Sequence, residues 1–361
     1  MLVNNKMTPY LSEKIKVMSF LCIILVVWIH TYYLEGTGYT SSMFLMNFWG
    51  CGVCLYAVPT FYAISGYLFF MGTKEKDVKA IFSKQKKRVR TLLIPYILTN
   101  LLSVLFYFIL KNVGTIVPAI DASLNFNLLD KGGDAFLDKM CYWFWNGPIA
   151  FQMWFVRDLM ILVAFAPVIF YLLKLATANK YTSWASIALC LILVDRHYSA
   201  QVWAFAWFAL GGVFSMSESV QILDVRRYKW VGLTLFIVSL AIIIEDALNA
   251  AGFCAIMVDQ DYITITGVPA IWILYDCLSD GIKQPICVSP KLLGSTFFIY
   301  LIHEPFLNVF KKIPVMVSRS ESMVCISYII VPIVFVLLSV VVGNLWKSNF
   351  PKSYSIFVGG R

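Results

Sequence analysis

A histidine at the end of an apolar run is the first place in this 361-residue chain where chemistry is possible. His30 closes the stretch Ile15–Ile29. An ionisable side chain is costly in lipid and is kept there when something pairs with it or uses it. The chain holds three histidines, and two of them, His30 and His303, fall in apolar runs. Imidazole has the unperturbed pKa closest to neutrality, so it can take a proton and return it. The pattern predicts a reactive centre inside a bundle of membrane helices. The plainer alternative is a histidine that snorkels toward the headgroups.

Further polar groups lie in other apolar runs. Trp154-Phe155-Val156-Arg157-Asp158 sets two opposite charges side by side. Sequence neighbours do not face each other on a helix, so each is expected to meet a partner on another span. In Phe297–Phe306, His303 follows Tyr300 by three residues, on one helical face. Pro305 lacks an amide hydrogen, which predicts a kink just past His303 and Glu304. Kinked membrane helices often line cavities. Glu35 follows His30 by just over one turn. A purely structural role competes at both the Arg157–Asp158 pair and His303, and His197 reads as a solvated loop residue.

The run Lys84–Tyr96 leads a basic stretch into an apolar helix. The forked donors of Arg88 and Arg90 suit the phosphates of a cytoplasmic nucleotide-type cofactor. The same charges also serve topology and attract anionic lipid.

Positioning these groups requires helices. A membrane span needs about 20 largely apolar residues. The candidate spans are 15–34, 46–70, 91–111, 149–173, 181–195, 200–217, 229–248, 262–280, 291–310 and 322–346. The expected fold is all-α, a polytopic membrane bundle of about ten helices in a single domain over 1–361. The short fifth and sixth spans could instead form a re-entrant hairpin. Of 29 Lys and Arg residues, 21 fall on one side of this ladder, including the cluster Lys74 to Arg90. Positive charge concentrates in cytoplasmic segments, which predicts both termini inside. His30, Arg157, Asp158, His303 and Glu304 then share a similar depth in the outer half. They can form one pocket open to the outside.

Composition excludes several classes. The chain is 60% hydrophobic and 14% charged, whereas soluble domains carry about 25% charged residues. Its formal charge of +9 is spread between apolar runs, with no separate basic domain for nucleic acid. Nine cysteines, several of them within apolar runs, do not suggest a disulfide framework. The Cys51–Cys54 pair lacks a second pair of ligands, so no metal is expected. No cleavable signal peptide is evident.

Five segments in this order resemble the acyltransferase-3 family of integral membrane proteins. They are Val26-Val27-Trp28-Ile29-His30, Phe61–Phe69 with Ser65-Gly66, Arg88-Val89-Arg90 through Pro95-Tyr96, Trp154–Asp158, and Phe298–Pro305. The resemblance implies an O-acyltransferase that moves an acyl group, usually acetyl, from cytoplasmic acyl-CoA to a hydroxyl of a cell-surface carbohydrate or other acceptor. It implies that His30 is the essential first-helix histidine. Arg88 and Arg90 match the arginine-rich motif, with Lys87 able to take part. The family often carries an arginine eleven residues before that histidine, where this chain has Ser19. Lys16, on a neighbouring part of that helix face, could substitute.

The resulting expectation is a cell-membrane enzyme with acyl-CoA as donor and a carbohydrate or lipid-linked glycan as acceptor. His30 is the base, Glu35 or Asp158 orients it, and Arg157 and Tyr300 stabilise the oxyanion. Transfer could be direct or pass through an acyl-enzyme. A glycan transporter or flippase, or a non-catalytic subunit of an export system, suits the same helices and buried charges.

Overall fold

The computed structural model describes residues 7–31, 40–73, 78–114, 147–194, 199–220, 222–253, 259–279, 286, 288–318 and 320–360. Every element among them is helical. Helix α1 covers Pro9–His30, with Thr8 capping its first turn through Leu11. Helix α2 (Thr40–Met46) continues through a π-helical turn at Asn47–Gly52 and a 3-10 turn at Val53–Tyr56 into α3 (Ala57–Phe70). Helix α4 runs unusually long, Val78–Gly114. A 3-10 turn at Phe151–Met153 leads into α5 (Trp154–Ala164) and α6 (Ala166–Ala176). Then come α7 (Lys180–Leu193), α8 (Ala200–Met216), α9 (Lys229–Ala250) and α10 (Asp261–Leu278). The chain closes with α11 (Pro290–Gly294), α12 (Thr296–Phe310), α13 (Lys312–Val317), α14 (Glu321–Asn349) and α15 (Pro351–Phe357).

Among the described residues each candidate span is mostly helical, and some of the helices are both long and apolar. Among the described residues, four stretches can cross a membrane by length and composition: Thr40–Phe70, Val78–Phe106, Arg226–Ala250 and Glu321–Asn349. The pair α5 and α6 adds a fifth if it counts as one span. That pair departs from the straight helix expected over 149–173, since it bends by 70°. Pro167 explains the bend: it cannot donate to the carbonyl four residues back, and its ring crowds the preceding turn.

Close backbone contact holds the middle of the bundle together. A Cβ on Gly66 of α3 would sit 1.9 Å from the Phe208 carbonyl oxygen of α8. A Cβ on Gly211 of α8 would sit 1.9 Å from that of Ala63. Small residues allow such an approach, and in lipid this packing replaces the hydrophobic drive available in water.

The first turns of α1 are tied to α10 by a buried charge. Lys14, one of the 21 positive charges on the side expected to be cytoplasmic, is fully buried. Its ammonium donates to Asp276 Oδ1 at 2.8 Å and to the Trp272 carbonyl at 2.9 Å. It also lies 4.0 Å from the centroid of the Trp272 ring. The other Asp276 oxygen accepts the Val225 amide at 3.0 Å, and the Tyr10 hydroxyl donates to Oδ1. Both charges are therefore paired and hydrogen-bonded, the condition under which burial is tolerated.

Two stability predictions follow from these contacts. Gly211→Val should cost about 1–3 kcal/mol or more through overpacking, read as a lower thermal midpoint in detergent; an unchanged midpoint would contradict the contact. Lys14→Met should cost about 3–5 kcal/mol by stranding Asp276, while Lys14→Met with Asp276→Leu should recover much of that loss. A double variant whose loss equals the sum of the two single-variant losses would show that the pair is not coupled.

Candidate functional site

His30 is the last residue of α1. A helix C-terminus exposes carbonyls that favour cations, and Lys311 supplies one: its ammonium donates to the His30 carbonyl at 2.9 Å. This contact ties the end of α1 to the end of α12. The His30 ring lies edge-on to Phe151, with centroids 5.8 Å apart.

Opposite His30, α12 breaks. Glu304 takes φ −105° and ψ 137°, and the Glu304–Pro305 peptide is cis. The kink falls where Pro305 predicts it. The break leaves His303 and Glu304 facing α1. The His303 ring centroid is 5.0 Å from that of His30. Glu304 Oε1 is 4.0 Å from His30 Nδ1. That separation exceeds a hydrogen bond, but catalytic pairs are often long before substrate seats and then tighten.

His303 has a defined tautomer. Its Nδ1 is 2.8 Å from the Tyr300 carbonyl oxygen. A carbonyl only accepts, so Nδ1 carries the hydrogen, and in the neutral ring Nε2 is then the acceptor. Among the described residues Nε2 is buried without a hydrogen-bond partner.

The structure sorts the remaining candidates. Arg157 and Asp158 pair with each other at 3.0 Å, despite being adjacent on α5. The long guanidinium stem reaches around the helix, which the simple facing rule does not anticipate. Among the described residues Glu304 sets a carboxylate 4.0 Å from His30, Asp158 is engaged by Arg157, and Glu35 lies outside the described residues. Tyr300 is buried, and its hydroxyl donates to the Gln152 carbonyl at 2.6 Å. A role on an oxyanion would require that bond to exchange.

Two cavities organise these groups. The first, about 580 Å³, is bordered by His30, Gln152, Tyr300 and the aromatic residues Phe61, Phe151, Trp154, Phe155 and Trp203. The second, about 410 Å³, is bordered by Lys16, Ser19, Arg88, Lys347 and Tyr354 among others. Phe61, Phe155 and Tyr300 border both. The second cavity gathers three cations from α1, α4 and α14. Arg90 and Lys87 are exposed and outside its lining. Residues two apart on a helix point about 200° apart, so Arg88 and Arg90 do not share one face.

Sequence reasoning placed Glu304 at the depth of His30 without giving it a role, and it missed two further residues. Gln152 is an amide in an apolar run. Lys347 borders the basic cavity from α14, with Tyr354 and Val358 of the tail also in its lining, and the tail packs on α4: a Cβ on Gly359, at φ +72°, would sit 2.4 Å from the Thr91 carbonyl oxygen. Among the described residues no group of three or more His, Cys, Asp or Glu could hold a metal, and Cys51 and Cys54 are free thiols.

No curated relative and no solved structure matches the chain significantly. A family model described as an acyltransferase domain, acyltransferase 3, matches residues 13–345. That span contains α1 through most of α14, including His30, Arg88, His303 and Glu304, and the chain belongs to the acyltransferase-3 family of integral membrane proteins.

Proposed function

We propose that this protein is an O-acyltransferase that moves an acetyl group from cytoplasmic acetyl-CoA to a hydroxyl of an exported or cell-surface carbohydrate, free or lipid-linked. The observation that carries the reading is the pair of cavities meeting at Phe61, Phe155 and Tyr300, one with three cations and the other with His30.

In this reading the basic cavity opens to the cytoplasm, as the distribution of positive charge favours. Lys16, Arg88 and Lys347 hold the phosphates of the donor. The acyl end reaches past the aromatic wall to the cavity of His30. Seen this way, Ser19 leaves room in the basic cavity, and Lys16 and Lys347 supply charge there.

His30 takes the proton of the acceptor hydroxyl as its oxygen attacks the thioester carbonyl. Glu304 steadies the imidazolium that forms. The tetrahedral intermediate then expels the CoA thiolate, His30 returns the proton to that sulfur, and ester and free CoA result. The aromatic lining suits the C–H faces of sugar rings and keeps water from the thioester.

The test is acetyl transfer from radiolabelled acetyl-CoA to a crude glycan fraction by protein in nanodiscs. Wild type should transfer label. His30→Ala should lower kcat about 10²–10⁴-fold, the usual contribution of a general base. Glu304→Gln should lower it about 10–100-fold, the loss of one charged hydrogen bond. Arg88→Ala and Lys16→Ala should raise the donor KM. A His30→Ala variant with full activity would remove the histidine from catalysis. A wild type that transfers no label but moves glycan across the bilayer would make the protein a transporter.

A further inference from the structure

We propose that Gln152 is a positioning residue that holds the broken end of α12 so that Glu304 and His303 face His30. This inference rests on the catalytic reading above and names a residue that reading does not use.

The argument starts from backbone bookkeeping. In a helix the amide of residue 305 would donate to the carbonyl of Leu301, but proline has no amide hydrogen. The extended Glu304 backbone interrupts the ladder as well. A buried carbonyl without a donor is costly, and lipid offers no water to repair it.

Gln152 makes the repair from outside α12. Its Nε2 donates to the Leu301 carbonyl at 3.1 Å and to the Glu304 carbonyl at 2.7 Å. A primary amide has two N–H groups, one for each. The Tyr300 hydroxyl donates back to the Gln152 carbonyl at 2.6 Å. Three hydrogen bonds thus join the turn at Phe151–Met153 to residues 300–304. The amide has a fixed orientation, because carbonyls require its nitrogen. Its Oε1 is buried without a partner among the described residues.

The side chain is 2% exposed, so water does not compete for these bonds. It holds the backbone of Leu301, two residues before His303, and that of Glu304, the residue after it. Without the amide, the Leu301 and Glu304 carbonyls must find other donors. The break can supply them only by turning, which moves the Glu304 carboxylate and the His303 ring relative to α1.

The first test does not depend on activity. Ring signals of the three histidines are recorded by NMR on histidine-labelled protein in nanodiscs. Gln152→Met, which keeps the volume and removes the donors, should shift the His30 and His303 signals and leave His197 in place. Unchanged His30 and His303 signals would overturn the proposal. If Gln152→Met does not fold, Tyr300→Phe removes only the hydroxyl joining α12 to the Gln152 carbonyl, and the same shifts are expected. The second test is a double-mutant cycle in the transfer assay. Gln152→Met should lower kcat roughly tenfold or more with little change in either KM, and should add little to Glu304→Gln. Fully additive losses would make Gln152 a general stabiliser. If wild type transfers nothing, the catalytic reading fails, while the histidine signals still decide whether Gln152 positions α12.

Discussion

A backbone carbonyl that loses its amide partner inside lipid cannot turn to water, and that constraint shapes the centre of this protein. Pro305 removes one donor from α12, and Glu304 leaves the helical conformation beside it. The break lets two consecutive polar side chains, His303 and Glu304, approach the end of α1 together. On an unbroken helix adjacent residues diverge by about 100°. The same break exposes two carbonyls, which the Gln152 amide satisfies. The irregular backbone, the packing against the turn at Phe151–Met153 and the polar cluster around His30 are therefore consequences of one local interruption.

Helix α1 connects this cluster to the rest of the molecule. Near its start, Lys14 is buried against Asp276. Two and five residues further along, Lys16 and Ser19 border the basic cavity. Eleven residues after Ser19, about 16 Å along the axis, His30 borders the aromatic cavity, with its carbonyl held by Lys311. Both ends of α1 are fixed by lysines, so the helix acts as a strut between two cavities of different chemistry. The dense contact of α3 with α8 through Gly66 and Gly211 carries Phe61 and Ser65 into the walls of those cavities.

Much of this was legible in the sequence, for physical reasons. Long apolar runs interrupted by charge have few alternatives to helices, and a proline within one marks a bend. His30, His303 and the kink after Glu304 could be read that way. What stayed hidden depends on three-dimensional partners. Nothing local distinguishes Lys14, buried on Asp276, from a solvated lysine near the membrane surface. Arg157 and Asp158 pair because a long side chain can fold back, so adjacency misleads. Pro167 bends a run whose apolar composition looks continuous. Gln152 acts on carbonyls about 150 positions away, and Lys347 meets the basic cavity beside residues of α1 and α4 far from it in sequence. The family match assigns the acyltransferase class, and the geometry supports particular residues for each part of the reaction.

The central claim is that donor and acceptor meet from opposite faces of the membrane, with His30 where the two routes join. The most direct measurement uses sided proteoliposomes holding one orientation of the protein. Radiolabelled acetyl-CoA is supplied to one compartment and a glycan acceptor to the other. The account predicts label on the acceptor when acetyl-CoA is on the side of Lys16, Arg88 and Lys347 and the acceptor is opposite, and no label when the two are exchanged. Transfer that occurs only with donor and acceptor in the same compartment would contradict it.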